Sequence, residues 1–183
     1  MKRRLFLLSG LALAGCGSNP ALYLVEPPAP AKAVRIAVSS IEVKDTTLPA
    51  YAEASEIAYE SEDGSIRTVT DTLWADDPTR AFTSSLVSHL SRATTARVAA
   101  EPWPLETWPQ AELTVRVDKM LARANGNFQL SGQFALSSPD GVISDRMRSF
   151  DIQVPLNGEG SAAIANATGR AIAGLGAEII AAL

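Results

Sequence analysis

The sequence holds one cysteine and one histidine in 183 residues, and that scarcity removes whole classes of chemistry. Without a second thiol the chain forms no internal disulfide, and a lone imidazole with no thiol near it offers no metal-ligand spacing. Basic residues are short too: 16 Lys and Arg stand against 20 Asp and Glu, a net charge of −4. A chain of that sign lacks the electrostatic footprint of a nucleic-acid binder. Neither a G-x-S-x-G turn nor a glycine-rich phosphate loop is present. Stability must come from packing, and the missing catalytic groups point to binding instead of turnover, with no cofactor and no metal.

What is present begins with the cysteine. Lys2, Arg3 and Arg4 lead into an apolar run from Leu5 to Leu13, closed by Ala14-Gly15-Cys16. A basic start, an apolar stretch of about 10 residues and small residues before a cleavage point make a secretory signal too short to span a bilayer. A lipoprotein signal also needs a thiol on the first mature residue to take up a diacylglycerol, and Cys16 supplies it. A chance cysteine after an ordinary signal peptide, or a buried core thiol, are the alternatives; neither uses all three parts of the pattern. Residues 1–15 therefore read as signal peptide and Cys16 as the lipidation site, so the mature chain is anchored to a membrane without crossing it. Three basic residues and no acidic ones leave with the signal peptide, so the mature chain is more acidic still. Acyl chains, not headgroup charge, then provide the attachment. Gly17, where Asp would mark inner-membrane retention in bacterial lipoproteins, makes the periplasmic face of the outer membrane the expected location.

Residues 16–33 contain Pro20, Pro27, Pro28 and Pro30, a composition expected to form an extended tether, with Ala21 to Val25 as an apolar island able to pair as an edge strand. Residues 34–183 read as one domain. Val34 to Val43 alternates as a strand, and Glu56–Glu60 with Ser65–Thr70 reads as a hairpin through Glu62-Asp63-Gly64. Asp76 or Asp77 caps a helix that accepts Pro78 in its first turn and runs to about Arg92, with Phe82, Leu86 and Leu90 as its core stripe. Arg97 to Ala100 is a brief strand. Three prolines keep Glu101 to Pro109 irregular, leaving Trp103 and Trp108 either to cover the edge of the core or to meet a partner or acyl chain.

Residues 111–154 alternate as a three-stranded antiparallel meander, with a slip near Lys119-Met120-Leu121 expected at a bulge. Ile164, Ala171, Ile172, Leu175 and Ile179 mark a long C-terminal helix whose glycines Gly169, Gly174 and Gly176 allow close approach to another backbone. The expected fold is mixed α/β (α+β): a largely antiparallel sheet with two main helices packed on one face. His89 reads as part of a solvated polar face, and the Asp76-Asp77 and Glu60 to Asp63 carboxylates as a cap and a turn.

Several segments share an order and spacing across nearly the whole mature chain. They are the lipobox ending at Cys16, Tyr23-Leu24, Val38 to Val43 leading into Leu48-Pro49-Ala50-Tyr51, Ile57-Ala58-Tyr59, Trp74-Ala75-Asp76 at the helix start, and Ala111-Glu112-Leu113. In these the chain resembles the ABC-type transport auxiliary lipoproteins, the family that includes the paraquat-inducible C-type lipoproteins. It departs from them at Ala52-Glu53-Ala54-Ser55 and in the Asp76-Asp77 pair before Pro78. The resemblance implies an outer-membrane-anchored docking component of an MCE-type lipid transport system, not an enzyme, whose partner is the periplasmic MCE protein. Leu48, Pro49, Tyr51 and Trp74 are the expected partner-binding residues, with self-association as their other use, because proline fixes the backbone and an aromatic binds with little entropy loss. A structural or assembly lipoprotein bracing an envelope complex is the alternative.

Overall fold

The computed structural model describes residues 19–183. In chain order its elements are β1 (Ala21–Tyr23), β2 (Ser40–Val43), α1 (Ala50–Glu53), β3 (Glu56–Glu60), β4 (Ile66–Trp74), α2 (Pro78–Ala93), β5 (Arg97–Ala100), β6 (Ala111–Ala122), β7 (Asn127–Ser137), β8 (Arg146–Pro155) and α3 (Gly160–Ile180). Cys16 and Gly17 lie outside the described residues. None of the described helices is long and apolar enough to cross a membrane.

β6, β7 and β8 form the antiparallel meander that their alternation dictates. Phe128, Leu130, Phe134 and Leu136 of β7 are buried together on one face, as are Leu113, Val115 and Val117 of β6. The β6 register slips between Val117 and Lys119. One extra residue there resets the period-two parity, so Met120 and Ala122 return to the buried face opposite Leu130 and Phe128. Gly132 sits across from the slip, paired with Val117.

The other edge of β6 is shared. β2 lies parallel to its start, Ile41 against Ala111, with β5 parallel beyond it. At the far end β3 lies parallel, Tyr59 against Ala122, followed by antiparallel β4 and then parallel β1. The result is an open, mixed eight-stranded sheet. Both long helices cover one face and touch each other. Asp77 caps α2 by accepting the Arg80 amide N–H at 2.9 Å, and Phe82, Leu86 and Leu90 point into the core. Each such side chain is worth about 2–5 kcal/mol against truncation to alanine.

Three segments differ from the sequence reading. Only Ser40–Val43 of the expected Val34–Val43 strand enters the sheet; Val34 instead bridges the end of α2, donating its amide N–H to the Ala93 carbonyl (2.9 Å) and accepting the Thr95 N–H (3.0 Å). The hairpin strand β4 continues past Thr70 to Trp74 through Asp71, which takes a left-handed φ of 53° where the register shifts. Its polar Thr70-Asp71-Thr72 run hid that continuation. The apolar island pairs at the sheet edge as its composition allowed, β1 with β4, but the proline-rich segment does not run free after it: the Val25 carbonyl accepts the Ser85 hydroxyl (3.0 Å), and the Glu26 carbonyl packs where Gly169 has no side chain.

Candidate docking surface

The segment Leu48-Pro49-Ala50-Tyr51 fills the stretch of β6 edge left between β2 and β3. Just before it, Thr47 accepts the Val117 N–H (2.8 Å) and donates its own N–H to the Val115 carbonyl (3.1 Å). Leu48 is buried, and Pro49 starts the single turn of α1, whose Ala52 also faces inward. Tyr51 is half-buried, and its hydroxyl accepts the Met120 N–H at 3.1 Å. That amide sits at the bulge, so the phenol satisfies a donor that the interrupted ladder leaves over. Trp74 is only 7% exposed and ends β4, its N–H donating to the Ser55 carbonyl at 2.7 Å. Leu48 and Trp74 are thus core side chains, whereas Pro49 and Tyr51 are half-buried and Ala50 is exposed.

The larger exposed aromatic lies in the proline-rich loop. Trp103 is half-buried: its indole N–H donates to the Thr107 carbonyl (2.6 Å) and its amide N–H to Glu42 Oε1 (2.8 Å). Glu42 is itself buried on β2 and held by Lys44 Nζ at 2.7 Å. That hydrogen bond, reinforced by Glu112 and Glu101, raises the Lys44 ammonium above its ordinary value despite partial desolvation. The loop is pinned at its base, and Trp108 projects from it, 76% exposed, beside exposed Leu105. Of the two tryptophans, Trp103 is tied down by these hydrogen bonds and Trp108 is left exposed. Around them lies a concavity of about 400 Å³ with Glu101 and Glu106 at its walls.

A second cleft, about 650 Å³, opens between the β3–β4 hairpin, the β6–β7 turn and the start of α3. Val69, Leu156, Ala163 and Ile164 form its apolar lining. Arg123 crosses it in a 2.8 Å pair with Glu60 and donates also to Gln129 (2.9 Å). These groups hydrogen-bond one another across the cleft wall. Elsewhere Asp76 pairs with Arg80, and Asp63 accepts from the amide and hydroxyl of Ser65, which holds its carboxyl below the usual range. A cap and a turn account for both acidic pairs.

His89 is buried, not solvated as its neighbours Ser85 and Ser88 suggested, and Ser85 is buried with it. Its ring presses on Gly176 of α3, the Cβ-free position that lets the helices approach. Nδ1 has no partner. Burial first, then the Arg92 charge, lower the imidazole below its ordinary pKa, against the Pro28 carbonyl, which raises it. The unfolded chain therefore binds the proton more readily, so stability is full above about pH 6.5 and falls as pH drops below that value. We expect the melting temperature of the wild type to fall more steeply between pH 7.5 and 5.5 than that of His89→Gln; parallel profiles would show that the imidazole does not set the slope.

Residues 23–180 match the family described as the ABC-type transport auxiliary lipoprotein component. The chain belongs to that family. No curated protein matches it. Among solved structures, a crystal structure of an uncharacterized protein aligns with a TM-score of 0.73 at 18% identity, covering 90% of this chain and 98% of its own. A DUF330-family protein from Xanthomonas campestris aligns with a TM-score of 0.63 at 16% identity, over 87% and 92% of the two chains. At those identities the likeness is one of fold. It covers most of each chain, so the two solved structures share this fold.

Proposed function

We infer that this lipoprotein is the docking component of an ABC/MCE-type lipid transport system, acylated at Cys16 on the periplasmic face of the outer membrane and binding the periplasmic MCE protein. The family match over residues 23–180 carries the reading. The net negative charge and the absence of a phosphate-binding loop from the sequence agree with a partner that neither hydrolyses ATP nor binds nucleic acid. Of Leu48, Pro49, Tyr51 and Trp74, the first and last support the surface from beneath, and Pro49 with Tyr51 is left to touch a partner. Trp108 offers more: a large aromatic on a loop already ordered binds with little further entropy loss.

Titration of the acylated protein with the MCE protein encoded beside the permease and ATPase should give saturable binding. Trp108→Ala should raise Kd about tenfold, the ~1.4 kcal/mol expected of an interface anchor, with the melting temperature unchanged. If the wild type fails to bind, the transport reading falls and the bracing role is favoured. Concentration-dependent sedimentation of the protein alone would assign the same surface to self-association.

A further inference from the structure

Between the acylated residue and the folded body the chain is short. Covalent geometry limits the five residue steps from Cys16 to Ala21 to about 18 Å, whereas a tether running free to residue 33 would reach about 60 Å. The shortening comes from a strap. The Tyr23 carbonyl accepts the Ala75 N–H (2.9 Å), the Val25 carbonyl accepts the Ser85 hydroxyl (3.0 Å), the Glu26 carbonyl fills the space over Gly169, and Val34 is bonded on both sides to the end of α2.

At the membrane-proximal end of this strap, Leu22 and Leu24 are 62% and 63% exposed. Tyr23 and Val25 alternate with them and turn inward against the core. Two large aliphatic side chains thus face outward, Leu22 on the first strand after the anchor and Leu24 just past its end, where a soluble edge strand would ordinarily carry charge. We propose that Leu22 and Leu24 seat the domain on the same bilayer that holds its acyl chains, with β1 at headgroup level. The inference rests on acylation of Cys16. A lipid surface is the occupant because the leash keeps β1 within about 18 Å of the acylated residue, whose chains are fixed in the hydrocarbon. Glu26 and Asp71, exposed beside the strand, are both acidic, so the contact is apolar and gains nothing from anionic headgroups. Seated this way, the Trp108 loop, which enters the start of β6, is carried to the opposite end of that strand from the β3 pairing that leads to β1. The two exposed apolar surfaces then serve different occupants.

With Cys16 acylated no other thiol remains, so Ala21→Cys and Trp108→Cys each provide one attachment point for an NBD fluorophore. On phosphatidylcholine vesicles, the acylated protein labelled through Ala21→Cys should emit to the blue and be quenched by headgroup-level doxyl lipid, and the Trp108→Cys label should do neither. Adding Leu22→Ser with Leu24→Ser to the first variant should reduce the quenching at least about threefold, while partition with the vesicles persists. Quenching that survives the double substitution, or a first label that stays in water on bound protein, overturns the seating. Reaction of the unaltered protein with the fluorophore would show Cys16 to be a free thiol and remove the anchor itself, a failure distinct from loss of the leucine contact.

Discussion

Gly132→Ala should lower stability by about 3 kcal/mol or more, a drop near 10 °C in melting temperature for a domain of this size. A Cβ at this position collides with the Arg116 carbonyl oxygen and comes to 2.9 Å from the Val117 Cα. Both obstacles are backbone, so no rotamer change relieves them. The collision lies where Val117 pairs with Gly132 beside the bulge, and relieving it would separate the strands that place Val117, Met120 and Leu130 in the core. Gly126→Ala is the informative comparison: its φ of 82° strains any side chain, yet nothing lies within 4 Å of a Cβ there. That variant should cost only the ~1–2 kcal/mol of left-handed backbone. Equal midpoints for the two variants in urea would mean that the strands adjust around Gly132 and that the close approach is not a constraint.

The same region shows how far the sequence could be read. Strict alternation in Phe128 to Leu136 and the slip at Lys119 located β7, β6 and the bulge between its halves, because those signals depend only on neighbours along the chain. The helix start was legible for the same reason, with Asp77 capping and Pro78 at the first turn. What escaped was set by contacts between distant segments. Val34 to Ala37 has the alternation of a strand, but its partner is the end of α2 and not the sheet. His89 has polar helix neighbours, and only Gly176 and Pro28, brought against it by the fold, put it out of water. Leu48 to Tyr51 carries the residue types of a binding motif because the same rigid turn and aromatic ring suit the closure of a strand edge. Trp108, equally ambiguous in sequence, is the residue the fold leaves outside.

Cys16→Ser should abolish attachment through acyl chains. Each buried methylene of an acyl chain contributes about 0.8 kcal/mol, so chains of ordinary length hold a protein at a bilayer through tens of methylenes. Nothing in the described body replaces them. No described helix crosses a membrane, and the net charge of −4 gives no attraction to anionic headgroups. Leu22 and Leu24 together supply roughly 3–6 kcal/mol at full burial. Loss of translational and rotational freedom costs a comparable ~4 kcal/mol or more, so the two leucines orient an anchored protein but cannot hold a free one. The Ser variant should therefore appear in the soluble periplasmic fraction or keep its signal peptide, and should take up no labelled palmitate. Palmitate incorporation by that variant would place the acyl group on another residue and return Cys16 to an ordinary thiol. Gly17→Asp, which leaves the thiol in place, should move the protein to the inner membrane; unchanged fractionation would mean that position 17 does not direct its sorting.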